Sequence, residues 1–200
     1  MRSVGVPFPK FNLVGCVNRK AGMAFRMFSN ETFPGKWVVY FFWPNDFTPI
    51  CRTELVAFAE MAQDFAERDA VLIGGSIDSE FVHFAWSQQG EGSDQLPFAL
   101  LADVRRDLTQ QLGILDPEKG VAQRATFIVD PKNTIRHASA NEFSVGRNPR
   151  EILRIVDALQ TDALCPSGWE SGQPTIDRTT AFVEPIANAP TLNPRRATIG

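Results

Sequence analysis

A cysteine in the first turn of a predicted helix is the strongest candidate for chemistry in this sequence. Thr48 offers a hydroxyl for the helix N-cap and Pro49 suits the first helical position, so the helix begins just before Cys51. Free N–H groups and the positive end of the helix dipole favour a thiolate there, and the thiolate is the nucleophilic form of cysteine. The alternative is a buried, inert cysteine, because free cysteines commonly pack as small hydrophobic side chains.

The segments around Cys51 predict how it is positioned. Residues 37–43 are β-branched or aromatic without polar alternation, which is typical of a central strand covered on both faces. After a turn, apolar residues recur at helical spacing along one face of the following helix: Cys51, Leu55, Phe58, Ala62 and Phe65. The sequence therefore predicts a buried strand, a turn and a helix that carries the cysteine.

The rest of the chain alternates strands with helices. We expect extended or hairpin structure before residue 35, strands over 71–77 and 96–102, and helices over 103–112 and from a cap at Asp78 or Ser79. Residues 125–129 and 134–140 flank a turn and predict a hairpin. Asn148 at an N-cap with Glu151 at the third helical position predicts a last helix. This order predicts an α/β domain with a central mixed sheet flanked by helices over residues 1–160, and a C-terminal arm over 161–200.

Composition excludes several classes of function. The chain has 20 Lys and Arg against 23 Asp and Glu, a net charge of -3, so we expect no nucleic-acid partner. The longest apolar run has seven residues, which predicts no membrane span, and Pro7, Pro9 and Lys10 interrupt any signal peptide. The three cysteines do not form the pattern of a secreted disulfide framework, which favours a cytoplasmic protein.

Motifs for metals and nucleotides are not found in the sequence. His83 and His137 are isolated, and there is neither a C-x-x-C pair nor a glycine-rich phosphate loop. We therefore expect neither a zinc site nor a bound nucleotide cofactor.

Residues 44–51 fit the P-x-x-x-T-x-x-C signature of peroxiredoxins, and Thr53-Glu54 follows as in that family. Similarity continues through residues 76–81, 126–130 and 144–148, and ends in Leu-Cys-Pro-Ser-Gly-Trp at 164–169. Over roughly residues 5–177 the chain resembles typical two-cysteine peroxiredoxins, most closely the alkyl hydroperoxide reductase C group of actinobacterial type. The resemblance implies a thioredoxin-like fold.

The resemblance also assigns roles to the two cysteines. It implies that Cys51 is the peroxidatic residue, whose sulfur attacks a peroxide and becomes a sulfenic acid. Cys165 is implied to be the resolving residue, which reaches Cys51 from the neighbouring subunit of an antiparallel homodimer. Cys16 matches no functional position and is expected to be a packed bystander.

Four further site residues follow from the resemblance. Thr48 and Arg147 match the family's hydrogen-bond donors, and the guanidinium of Arg147 is expected next to Cys51. Glu54 matches the residue that positions this arginine, and Pro44 the residue that shields the thiolate from water.

The implied function is a thiol-dependent peroxidase for hydrogen peroxide and organic hydroperoxides, re-reduced by a thioredoxin-like or dedicated reductant protein. A redox-regulated holdase chaperone or a peroxide sensor with the same cysteines is the alternative. A thioredoxin-like disulfide reductase is disfavoured because Thr48 stands where a second close cysteine is required.

Two positions depart from the family pattern. Pro49 replaces an aromatic residue in a region that helps dimers associate into a decameric ring. Arg52 replaces a proline and either acts on the thiolate or points outward from the helix.

Overall fold

A seven-stranded mixed sheet organises the chain. A computed structural model describes residues 1–17, 22–89 and 96–179. The strands lie in the order β2-β1-β5-β4-β3-β6-β7. Their bounds are β1 Asn12–Cys16, β2 Phe25–Ser29, β3 Trp37–Phe42, β4 Ala70–Ser76, β5 Ala99–Ala102, β6 Arg124–Val129 and β7 Ile135–Asn141. β3 pairs in parallel with β4 and antiparallel with β6, so the predicted central strand and mixed sheet are confirmed.

Helices cover both faces of this sheet. They are α1 Pro49–Glu60, α2 Ala62–Ala66, α3 Glu80–Ser87, α4 Asp107–Leu112 and α5 Pro149–Gln160. The prediction of a single helix over residues 49–65 is wrong, because the helix is interrupted at Met61, between α1 and α2. The predicted strand over 96–102 and helix over 103–112 are both shorter than expected.

Successive side chains of β3 enter two separate hydrophobic cores. Val38, Tyr40 and Phe42 pack on one face of the sheet with apolar residues of α4. Val39, Phe41 and the following Trp43 pack on the other with residues of α1, α2, α3 and α5. This alternation explains the uninterrupted apolar sequence, because every residue of the strand is covered.

The hairpin predicted over residues 125–140 is confirmed, and the first 35 residues adopt the hairpin of the two expected alternatives. β1 pairs antiparallel with β2 within the first 35 residues, and β6 pairs antiparallel with β7. Asn148 caps α5 by accepting a hydrogen bond from the N–H of Arg150 at 3.0 Å. The capping box is only half formed, because the Glu151 carboxylate binds Arg154 at 2.8 Å.

The described part of the C-terminal arm folds back on itself and contacts α5. The N–H of Ile176 donates to the Leu164 carbonyl at 2.8 Å, which closes a loop around the buried Trp169. Arg154 of α5 donates to the Trp169 carbonyl at 2.8 Å. Residues 180–200 of the predicted arm lie outside the described residues. In the part of the chain that is described, no helix is long and apolar enough to cross a membrane.

Candidate active site

Cys51 lies in the first turn of α1 with its side chain completely buried. The helix starts at Thr48, whose carbonyl accepts from the N–H of Arg52 at 3.1 Å. Thr48 occupies the N-cap, but its hydroxyl donates to the Asn45 carbonyl at 2.9 Å and makes no capping bond. The prediction that the Thr48 hydroxyl caps the helix is therefore wrong. The hydroxyl instead closes the turn before the helix, so it accepts no hydrogen bond from the N–H groups of the first helical turn.

A guanidinium from another strand reaches the sulfur. Arg124 opens β6, and its Nη1 lies 3.2 Å from Cys51 Sγ. The same nitrogen donates to Glu54 Oε2 at 2.8 Å, and Nε donates to the Phe143 carbonyl at 2.8 Å. With three partners for its planar fork, the Arg124 side chain has one fixed orientation, and this orientation directs positive charge at the sulfur.

Arg147 holds Glu54 from the opposite side. Its Nε donates to Glu54 Oε1 at 2.7 Å and its Nη2 to Oε2 at 2.8 Å, a bidentate pair. Its backbone N–H also donates to Oε1 at 2.9 Å, and Nη1 donates to the Ala125 carbonyl at 2.9 Å. Arg147 precedes the α5 N-cap, so this pair joins the start of α5 to α1 across 93 residues of sequence.

The three charged side chains of this cluster are almost fully buried. Exposure is 1% for Glu54, 4% for Arg124 and 3% for Arg147. Burial alone raises the pKa of the Glu54 carboxyl, but the hydrogen bonds and charge of Arg147, together with the charge of Arg124, hold that pKa below its usual value. Two guanidiniums around one carboxylate leave one positive charge in excess. The nitrogen of this cluster that lies closest to Cys51 Sγ is Arg124 Nη1, so the excess positive charge lies beside the sulfur.

These contacts distinguish the two arginines of the site. The guanidinium in hydrogen-bond contact with Cys51 is that of Arg124, whereas Arg147 directs its N–H groups at Glu54 and β6. Arg124 is not among the predicted site residues, because the predicted strand begins one residue later, at Ala125. The available signal was a charged residue directly before a mostly apolar strand, since a buried arginine needs an acidic partner elsewhere in the fold.

The other predicted site residues are more widely spread. Pro44 is buried directly after Trp43, in the loop that leads to Thr48. Cys165 is half-buried beyond the end of α5, with Sγ 3.8 Å from the Ala158 carbonyl and 3.4 Å from the Thr161 hydroxyl.

The two departures from the family pattern also have defined places. Pro49 is the first residue of α1 and is exposed. Arg52 is directed away from the sulfur, since its guanidinium donates to the Gln89 carbonyl after α3.

Cys16 is buried in β1. All three cysteines fall within the described ranges, and none of them forms a disulfide. Among the described residues there is no group of three or more His, Cys, Asp or Glu side chains that could hold a metal ion.

Comparison with known proteins identifies the family. Residues 4–138 match the model of the AhpC/TSA family. Alkyl hydroperoxide reductase C of Mycobacterium tuberculosis H37Rv is 45% identical over 183 residues, which cover 88% of this chain and 93% of the relative. The chain belongs to the AhpC/TSA family. As a member it is an enzyme, a thiol-dependent peroxidase of the peroxiredoxin type.

A further relative and two solved structures agree with this assignment. Peroxiredoxin-2 of Rattus norvegicus is 39% identical over 180 residues, covering 86% of this chain and 89% of the relative. The solved structure of Mycobacterium tuberculosis AhpC superposes with a TM-score of 0.77 at 44% identity, covering 85% of this chain and 99% of that one. A reduced 2-Cys peroxiredoxin of Plasmodium vivax gives a TM-score of 0.82 at 28% identity, covering 90% and 95%. The thioredoxin-like fold implied by the sequence is confirmed.

Proposed function

We propose that this chain reduces hydrogen peroxide and organic hydroperoxides with Cys51 as the attacking residue and Cys165 as the resolving residue. The observation that carries the proposal is the placement of Cys51 Sγ, buried in the first turn of α1 and 3.2 Å from Arg124 Nη1. The buried ion pairs of Glu54 with Arg124 and Arg147 supply fixed positive charge beside the attacking sulfur.

The first step is an attack of the Cys51 thiolate on one peroxide oxygen. A sulfur–oxygen bond forms, the oxygen–oxygen bond breaks, and the departing alkoxide or hydroxide takes up a proton to leave as alcohol or water. Arg124 is the donor that stabilises charge on the sulfur and on the departing oxygen, because its guanidinium is fixed before the peroxide arrives. Glu54 and Arg147 position Arg124, Thr48 sets the start of the helix, and Pro44 limits the access of water.

The second step is attack of a Cys165 thiol on the Cys51 sulfenic acid, which forms a disulfide and releases water. Arg147, at the start of α5, contacts the site, whereas Cys165 contacts residues at the other end of that helix. α5 has 12 residues, a length of about 18 Å. A disulfide requires a Cα separation below about 7 Å. Because the length of α5 lies between the site and Cys165 of the same chain, the distance supports a disulfide to Cys165 of a second copy, in a homodimer.

The catalytic cycle closes when a thioredoxin-like or dedicated reductant protein reduces the disulfide by thiol exchange. The sequence has three cysteines without the even, closely spaced pattern of a secreted disulfide framework, which supports the cytoplasm as the compartment. A decameric ring of dimers is the larger assembly that the resemblance implies.

The test is consumption of hydrogen peroxide and of an alkyl hydroperoxide, coupled to candidate reductant proteins. We expect many turnovers per chain in the wild type, none in Cys51→Ser, and near wild-type rates in Cys16→Ser. Equal losses from both substitutions contradict the assignment of Cys51. A single turnover with every reductant, together with protection of a client protein at stoichiometric amounts, supports the chaperone or sensor alternative instead.

A further inference from the structure

A buried polar network lies under the loop that precedes Cys51, and the peroxidase chemistry described above does not use it. Asp46 Oδ2 lies 2.6 Å from Nδ1 of His83 in α3, and Asp46 Oδ1 accepts from the indole Nε1 of Trp43 at 2.8 Å. His83 Nε2 lies 3.0 Å from the Leu101 carbonyl of β5. Both side chains of the Asp46–His83 pair are 0% exposed.

The partners fix the number of protons in this network. The Leu101 carbonyl only accepts, so Nε2 of His83 carries a hydrogen. The indole N–H of Trp43 only donates, so Asp46 Oδ1 is an acceptor. One proton therefore occupies the contact between Nδ1 and Oδ2, and the Asp46–His83 pair has no net charge. A pair without net charge and with every polar atom bonded is stable in the interior.

The backbone next to this pair adopts an unfavourable conformation. Phe47 has a φ of 59°, in the left-handed region that non-glycine residues rarely adopt. Such conformations persist where surrounding contacts determine them. Asp46 provides these contacts, because its N–H also donates to Asp78 Oδ2 at 2.9 Å. The residue after Phe47 is Thr48, the N-cap of the helix that carries Cys51.

We propose that the Asp46–His83 pair is a positioning element of the peroxidase site, which holds the turn at Phe47 and thereby keeps Cys51 in its peroxide-reactive helical turn. The pair acts through hydrogen bonds between the loop, α3 and β5, and not through a net charge. Because Cys51 is completely buried in this turn, the turn must unwind before the sulfur can reach Cys165. The pair therefore favours the attack on peroxide and opposes this unwinding. This inference rests on the proposed function of the two cysteines.

Two rates measured on the same variants test this element. Stopped-flow fluorescence gives the rate of Cys51 oxidation by hydrogen peroxide and the rate of disulfide formation with Cys165. In Asp46→Ala we expect the oxidation rate to fall at least tenfold while the disulfide rate rises at least twofold. Asp46→Asn should restore both rates to within threefold of wild type, because its amide donates to Nδ1 of a neutral His83 and its oxygen still accepts from Trp43.

Ile135→Val is the matched control, since Ile135 is fully buried in the core on the other face of the sheet. It should leave the ratio of the two rates unchanged. Unchanged rates in Asp46→Ala, a parallel fall of both, or an Asp46→Asn variant that behaves like Asp46→Ala overturns the inference. If Asp46→Ala does not fold, the Asp46→Asn result and the same measurements on His83→Gln decide it. A wild-type protein without peroxidase activity contradicts the proposed function instead.

Discussion

Replacing Arg124 by alanine separates the two arginines of the site. The substitution removes the donor at 3.2 Å from Cys51 Sγ, together with one hydrogen bond to Glu54. At that distance and an effective dielectric constant near 20, two unit charges attract by about 5 kcal/mol. Part of this attraction is offset by desolvation, and loss of one preorganised donor typically costs about 3–4 kcal/mol in a transition state. We therefore expect the peroxide step to slow by about 10²- to 10³-fold.

The assay is the second-order rate of Cys51 oxidation in a single turnover, which excludes the later disulfide and reductant steps. Arg147→Ala leaves Arg124 on the sulfur and acts only through Glu54 and β6, so we expect a loss of about tenfold. Arg136→Ala, which removes a half-exposed arginine on β7, is the charge-matched control and should stay within twofold of wild type. A larger loss in Arg147→Ala than in Arg124→Ala refutes the assignment of Arg124 as the donor.

Three further predictions concern the resolving cysteine, the buried charges and the first turn of α1. Stoichiometric peroxide should convert the wild type to a species that runs as a dimer on a non-reducing denaturing gel, and Cys165→Ser should prevent this; monomers with full activity contradict an intersubunit disulfide. Glu54→Gln should lower the free energy of unfolding by about 3–5 kcal/mol at pH 7, because it removes the carboxylate that both buried guanidiniums bind. The pKa of Glu54 in the folded state lies below its value of about 4.3 in the unfolded state. The stabilisation that Glu54 contributes to the free energy of unfolding is therefore present above about pH 4.3 and is lost as the pH falls through the folded-state pKa. The difference from wild type in urea unfolding should therefore shrink towards pH 3, whereas the exposed Glu60→Gln should show no difference at either pH. Arg52→Gln should speed disulfide formation by about two- to tenfold by removing the hydrogen bond to the Gln89 carbonyl, while Arg150→Gln in the first turn of α5 should have no effect.

The strand and the helices around the site could be predicted from the sequence, because each is specified by residues within its own segment. The apolar run of β3 and the Asn148 cap of α5 each specify one conformation over a few residues. The break at Met61 was not predictable in this way, since the apolar spacing of residues 51–65 continues across it. In the same way, the Thr48 hydroxyl has two possible acceptors within a few residues, and only the folded turn selects the Asn45 carbonyl.

The charged cluster depends on tertiary contacts between distant segments. Arg124 and Arg147 are 70 and 93 residues from Glu54; Arg124 opens β6 and Arg147 precedes the N-cap of α5. Nothing in their local sequence decides which guanidinium reaches Cys51. The sheet register does, because β6 pairs with β3 and so brings Arg124 to the end of the sheet where α1 begins.

Trapping of the sulfenic acid tests the central claim most directly. The Cys165→Ser variant is treated with one equivalent of hydrogen peroxide and a sulfenic-acid-specific nucleophile, and the labelled peptides are identified by mass spectrometry. The attack described above predicts one label per chain, on Cys51, and none on Cys16. Peroxide consumption with the label on Cys16, or with Cys51 unlabelled, would contradict it.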